Sequence, residues 1–162
     1  AMALMDVYNE HRIKAAGTFA PDFALPDQEE NEVSLSQLMN EGMVLLYFYS
    51  HDGHPGVDAE LKDLNASYKK FRQMGIVPVA VSSDDVATHK KYAEENDIMI
   101  PLLADPDYAV ARAYGTYNSS GVNSRASFII SSDQEIVRVY TEQRMRPHVR
   151  ELYVNVKETL LD

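Results

Sequence analysis

Apolar positions fall into blocks whose spacing changes along the chain, and each spacing predicts an element. Leu4, Val7, Tyr8 and His11 recur at helical intervals and predict a short lead-in helix over 4–15. Phe19, Phe23 and Leu25 are interrupted by Pro21, so 17–26 reads as an extended edge segment. A polar turn over 27–31 precedes a short strand that runs into a turn of helix over 33–38. From 43 to 49 the run Met-Val-Leu-Leu-Tyr-Phe-Tyr has no polar alternation, the pattern of a central strand covered on both faces. Two glycines and a proline break the pattern over 50–56.

Leu61, Leu64, Tyr68 and Phe71 predict an amphipathic helix over 59–74, closed by Gly75, with a buried strand over 76–81. The polar residues 82–85 offer caps to a helix over 86–96. A strand over 98–103 contains Pro101, which predicts an edge, and a helix over 107–114 ends at Gly115. Strands over 126–130 and 135–141 flank the turn 131–134 as a hairpin, and a last helix spans 145–161. Two strand–helix units followed by a hairpin and a helix give an α/β sandwich with a mixed central sheet. That is a thioredoxin-like arrangement; the order alone also permits a flavodoxin-like one.

At 162 residues the chain fits one domain, which we divide into an N-terminal extension, 1–16, and a folded unit, 17–162. Lys and Arg number 15 against 25 Asp and Glu, a net charge of −10 that repels phosphate backbones, so no nucleic-acid partner is expected. No apolar run reaches the roughly 20 residues of a spanning helix, so no membrane partner is expected either. The N-terminus lacks a signal-peptide pattern, Ala1 before Met2 reads as a cloning remnant, and the cytoplasm is the expected location. The chain contains no cysteine, which excludes disulfides, thiolate-held metals and a cysteine nucleophile.

The stretch 44–60, reading Val-Leu-Leu-Tyr-Phe-Tyr-Ser-His-Asp-Gly-His-Pro-Gly-Val-Asp-Ala-Glu, resembles the active-site segment of peroxiredoxins of the bacterioferritin-comigratory subgroup. In that family a strand ending Tyr-Phe-Tyr is followed by Pro-x-x-x-Thr-Pro-Gly-Cys, the Cys opening a helix. Further likenesses are Gly-Thr-Phe-Ala-Pro-Asp-Phe-Ala-Leu at 17–25, Val-Ser-Leu-Ser at 33–36 and the strand 75–84 ending in Val-Ser-x-Asp. Ala-Asp-Pro at 104–106, Ala-Tyr-Gly at 113–115 and Arg-Ala-Ser-Phe-Ile-Ile at 125–130 complete them. The resemblance implies a thioredoxin-like peroxiredoxin fold of the AhpC/TSA type.

Its functional residues do not all come with it. The leading Pro position is Ser50, the Thr position is His54, and the nucleophilic Cys position is Val57, while Arg125 matches the family Arg. A resolving Cys five residues on falls at Lys62. Peroxide reduction in the family needs a thiolate, so this chain is expected to be inactive as a thiol peroxidase and retained as a binding or interaction module. The alternatives are an active hydroperoxide-reducing antioxidant enzyme whose cysteine was replaced, or different chemistry on the His51/His54 loop. A lone knockout would keep the Pro and Thr positions, so the joint departure at Ser50, His54 and Val57 favours divergence.

Two features of the altered site remain chemically competent. The helix opening near Val57 is expected to leave unpaired N–H groups facing the site, and Arg125 either joins them against an anion or pairs with Asp58 or Glu60. The ligand-binding candidates are therefore His54, Pro55, Gly56, Val57 and Arg125, for a small anion or carboxylate, with a protein partner as the other possibility. His51 and His54, three apart, with Asp52 and Asp58 nearby, are the metal candidates, and the same two imidazoles suit acid–base roles. No cofactor is implied. Tyr47 and Tyr49 read as core and pocket wall, His11, His89 and His148 as helix residues without ligand spacing, and the Arg-Met-Arg patch at 144–146 as too small for nucleic acid.

Overall fold

The computed structural model describes residues 13–141 together with 157–158. A two-stranded antiparallel ribbon comes first, β1 (Ala24–Pro26) with β2 (Glu32–Ser34), followed by α1 (Leu35–Glu41). Then come β3 (Met43–Phe48), α2 (Pro55–Ala66), α3 (Tyr68–Gln73), β4 (Ile76–Ser82) and α4 (Val86–Asn96). The described elements end with β5 (Leu102–Ala104), α5 (Ala109–Tyr114), β6 (Ala126–Ile130) and β7 (Ile136–Tyr140). The main sheet has the order β5-β4-β3-β6-β7. β3, β4 and β5 run parallel, β6 is antiparallel to β3, and β7 is antiparallel to β6. This is the mixed-sheet, thioredoxin-like sandwich expected.

The unbroken apolar run of β3 is explained by its two faces. Leu45, Tyr47 and Tyr49 project into one core with Val57, Leu61, Leu64, Phe71 and Tyr92, while Val44, Leu46 and Phe48 project into a second with Leu35, Leu38, Val110 and Tyr114. Each face of the strand needs apolar residues, so the two-residue alternation disappears. Pro78 lies inside the central strand β4 without breaking it. The Ala80 N–H points to the β5 side, where it donates to the Pro101 carbonyl. Pro78, two residues earlier, faces the same way before the β5 pairing begins at Ala80, so no ladder donor is lost.

Three expectations change. The single helix over 59–74 is two helices, with Ser67 between them at φ −89 and ψ 2, and the first begins four residues earlier, at Pro55. The strand expected over 98–103 is confined to Leu102–Ala104. The lead-in helix over 4–15 lies outside the described residues except for 13–15, which are not helical. The terminal helix over 145–161 likewise lies outside them except for 157 and 158, which are helical, and His11, His148 and the 144–146 patch are outside as well.

Candidate functional site

The sheet sets the site's geometry. β3 delivers Tyr47 and Tyr49 to one face, the loop 50–54 turns over the sheet's end, and α2 returns across that face with Val57 in its first turn. Arg125 stands one residue before β6, the antiparallel neighbour of β3, so its side chain enters from the adjacent strand. Ser50 is half-buried just past β3, His51 and Pro55 are exposed, and His54 and Gly56 are half-buried. Val57 is 6% exposed and belongs to the core cluster.

The helix start differs from the expectation of open donors. His54 is the N-cap, and its Nδ1 accepts from the Gly56 N–H at 3.0 Å. Pro55 at the first helical position has no N–H to satisfy. The Val57 and Asp58 N–H groups both donate to the His54 carbonyl, at 2.9 and 2.8 Å. The first turn is therefore closed by its own residues, and the unpaired N–H groups expected there are absent from 55–58. His54, at the family's Thr position, acts as a helix cap.

Arg125 resolves to one of its expected partners. Its Nη1 lies 3.5 Å from Glu60 Oε2, and Glu60 is fully buried. The other Glu60 oxygen accepts from the Tyr47 hydroxyl at 2.5 Å. Burial, and next the Glu60 charge, push the Tyr47 hydroxyl well above its ordinary range, so it stays a donor. Asp58, the other partner considered, instead pairs with Lys62 Nζ at 2.9 Å and accepts from the Tyr92 hydroxyl. Those bonds, the Tyr92 one first, hold the Asp58 carboxyl below its usual range. A buried internal carboxylate thus stands where the sequence left room for a bound anion.

A second cluster joins Asp52, which the sequence offered only beside His51 and His54, to His89, which it offered no partner. Asp52 accepts from Tyr49 through Oδ1 at 2.5 Å and lies against His89 Nδ1 through Oδ2 at 2.6 Å. His89 Nε2 is 3.2 Å from Ser82 Oγ, which donates to Asp84 Oδ2 at 2.8 Å. Asp84 Oδ2 also accepts the Asp52 N–H at 2.7 Å, closing the loop onto the end of β4. His89 and Ser82 are fully buried. His89 is thus far from a bystander on its helix; the signal that could have found it is the polar set at 82–85 followed by a histidine on a buried face otherwise carrying Tyr92 and Ala93.

The metal candidates His51, His54 and Asp58 do not converge on a ligand set among the described residues. The two imidazoles meet edge to face with centroids 5.1 Å apart, His54 Nδ1 is used by the cap, and Asp58 is held by Lys62 and Tyr92. Asp52, Asp84 and His89 do bring donor atoms within 4.8 Å of one another. Those atoms are engaged with one another and with Tyr49, Ser82 and the Asp52 backbone, which makes the cluster a hydrogen-bonded network. With Val57 in the nucleophile's place, and no cysteine in the sequence, the site holds no thiolate to attack an O–O bond.

The comparisons with known proteins agree with this geometry. Residues 16–139 match the model of the AhpC/TSA family. A putative peroxiredoxin bcp of Helicobacter pylori is 30% identical over 143 residues, covering 84% of this chain and 93% of its own. Peroxiredoxin Bcp of Escherichia coli is 28% identical over 141 residues, covering 82% and 89%. The crystal structure of peroxidoxin BcpB from Mycobacterium tuberculosis superposes with a TM-score of 0.83 at 28% identity, covering 91% of this chain and 98% of that one. With the fold, the motif positions and the relatives in agreement, the chain belongs to the AhpC/TSA family, among proteins similar to the Bcp and Q peroxiredoxins.

Proposed function

We propose that this chain is a peroxiredoxin-fold protein without thiol peroxidase activity, working as a binding or interaction module in the cytoplasm. The observation that carries the reading is the buried Val57 at the first turn of α2, in a chain with no cysteine anywhere. A valine side chain has no acid, lone pair or redox chemistry, and no other thiol exists to substitute for it. The net charge of −10 supports partners other than nucleic acid. The division into an extension, 1–16, and a domain, 17–162, is part of the same proposal.

Of the two kinds of partner, the site favours a protein over a small anion. Arg125 already faces Glu60, and the first-turn N–H groups face His54, so an anion would have to displace internal acceptors. The exposed rim of His51, Gly53 and Pro55 is left to meet a partner surface. Thermal shift with acetate, propionate and phosphate, comparing wild type with Arg125→Ala, tests the choice. Equal shifts in the two proteins support the protein partner. A rise in Tm confined to wild type reinstates the small carboxylate ligand at Arg125.

A further inference from the structure

The hydrogen bonds of the Asp52 cluster constrain which ring nitrogens of His89 carry protons. Ser82 has one hydroxyl hydrogen, and its geometry donates it to Asp84 Oδ2 at 2.8 Å, a carboxylate oxygen that also takes the Asp52 N–H at 2.7 Å. Ser82 Oγ accepts the Asp84 N–H at 3.1 Å. At the 3.2 Å contact with His89 Nε2, the hydroxyl therefore has only a lone pair to offer, and Nε2 must be the donor. On the other side of the ring, Nδ1 stands 2.6 Å from Asp52 Oδ2, whose sister oxygen takes the Tyr49 hydroxyl. A bare Nδ1 would face a carboxylate lone pair at that distance, so Nδ1 is a donor too.

We infer that His89 is held as an imidazolium with both ring nitrogens donating, and that this proton locks the loop 50–54 to the end of β4 and to α4. The groups facing His89 are Tyr49 from β3, with ring centroids 6.4 Å apart, Asp52 from the loop, Ser82 from β4, and Asp84 and Asp85 from the turn after it. Tyr92 lies one turn on along its own helix. Two carboxylates in direct or one-hydroxyl contact offset the buried cation, and the hydrogen bonds are of the charge-assisted kind.

The lock has a second wiring. If the Nε2 proton is lost, the Ser82 hydroxyl satisfies the bare nitrogen only by turning from Asp84 to His89. Asp84 then keeps the Asp52 N–H alone, and the loop is held less firmly. The loop concerned carries His54, the cap of α2, so the device acts on the helix start where Val57 sits.

Nitrogen-15 spectra of the histidine side chains in wild type at neutral pH read the inference directly. Both His89 nitrogens should resonate as protonated donors. Nδ1 of His54, which accepts from Gly56 in the same molecule, should resonate as a bare acceptor. One bare nitrogen on His89 would overturn the proposal. Amide exchange supplies the second readout: His89→Gln removes the charged contact that ties the Asp52 carboxylate to α4, so the loop should open more often and the Asp52 amide, bonded to Asp84, should exchange about tenfold faster. Unchanged exchange there would show that His89 does not hold the loop.

Discussion

Removing the Glu60 carboxylate strips Arg125 of a compensating charge at a position only 12% exposed. Breaking a buried pair from one side is costly because the remaining charge cannot be fully resolvated. We expect Glu60→Ala to destabilise by about 3 kcal/mol in denaturant unfolding. Combined with Arg125→Leu, it should cost about 1 kcal/mol less than the sum of the singles. Strict additivity would contradict the pairing. Tyr92 and Asp58 give a pH-dependent counterpart. The Tyr92 hydroxyl, first, and Lys62, second, hold the Asp58 carboxyl below its ordinary value, so folding is favoured by its ionised form. That contribution is complete above the unfolded value and is lost as pH falls through the lowered folded one. The Tm gap between wild type and Tyr92→Phe should therefore be widest at neutral pH and close on acidification below about pH 4. A gap that persists unchanged at about pH 2 would contradict the assignment.

At the scale of elements, two turns can be broken by single changes. A Cβ on Gly42 would lie 2.2 Å from the Gly75 carbonyl oxygen, the same atom that accepts the Met43 N–H at 2.9 Å and starts the β3–β4 pairing. Gly42→Ala should cost about 2–4 kcal/mol, read as a lowered denaturant midpoint. A change below about 0.5 kcal/mol would show that the two turns part freely. His54→Ala removes the cap of α2 and should cost about 1 kcal/mol, while His54→Asp, which also accepts from the first turn, should restore most of it. Equal losses in both variants would argue against a capping role.

The same scale shows why parts of the fold were legible and others were not. The helix over 86–96 and the strand over 126–130 agree with α4 and β6 because periodicity and flanking caps are local signals. The strand expected from residue 98 starts only at Leu102. The N–H groups of Met99 and Ile100 are taken by the Asn65 side chain, and Gln28 bridges the Ile100 carbonyl and the Leu102 N–H. Side chains 34 to 74 residues away thus replace a strand partner, which no local pattern reveals. The site divides similarly. Val57 and Arg125 were found through two separate contiguous motifs, 44–60 and 125–130, and Glu60 was one of two acids offered to Arg125. Asp52 and His89, 37 residues apart, become partners only when the loop after β3 folds over the end of β4.

Taken as a whole, the molecule keeps the sheet, the helix start and the Arg of a peroxiredoxin, and fills the reactive position with part of its core. Val57 packs with Leu45, Tyr47, Leu61 and Tyr92 on one face of the sheet, so the site has been absorbed into the packing that supports it. Restoring a thiol alone should not restore the enzyme. Val57→Cys should give a thiol that small alkylating reagents can modify, with little turnover, because Ser50 and His54 stand where the family carries Pro and Thr, and His54 is committed to the cap. A rate in this single variant equal to that of the Escherichia coli relative would contradict the importance of those positions.

The central claim, that the chain has kept the fold and lost the peroxidase chemistry, is tested most directly by one measurement on the unmodified protein. Consumption of hydrogen peroxide and of an organic hydroperoxide is followed in the presence of dithiothreitol or a thioredoxin system, against buffer without protein. The account predicts rates indistinguishable from buffer, since no side chain in the chain can cycle between thiolate and sulfenic acid. Sustained turnover above that background, proportional to protein concentration, would contradict it.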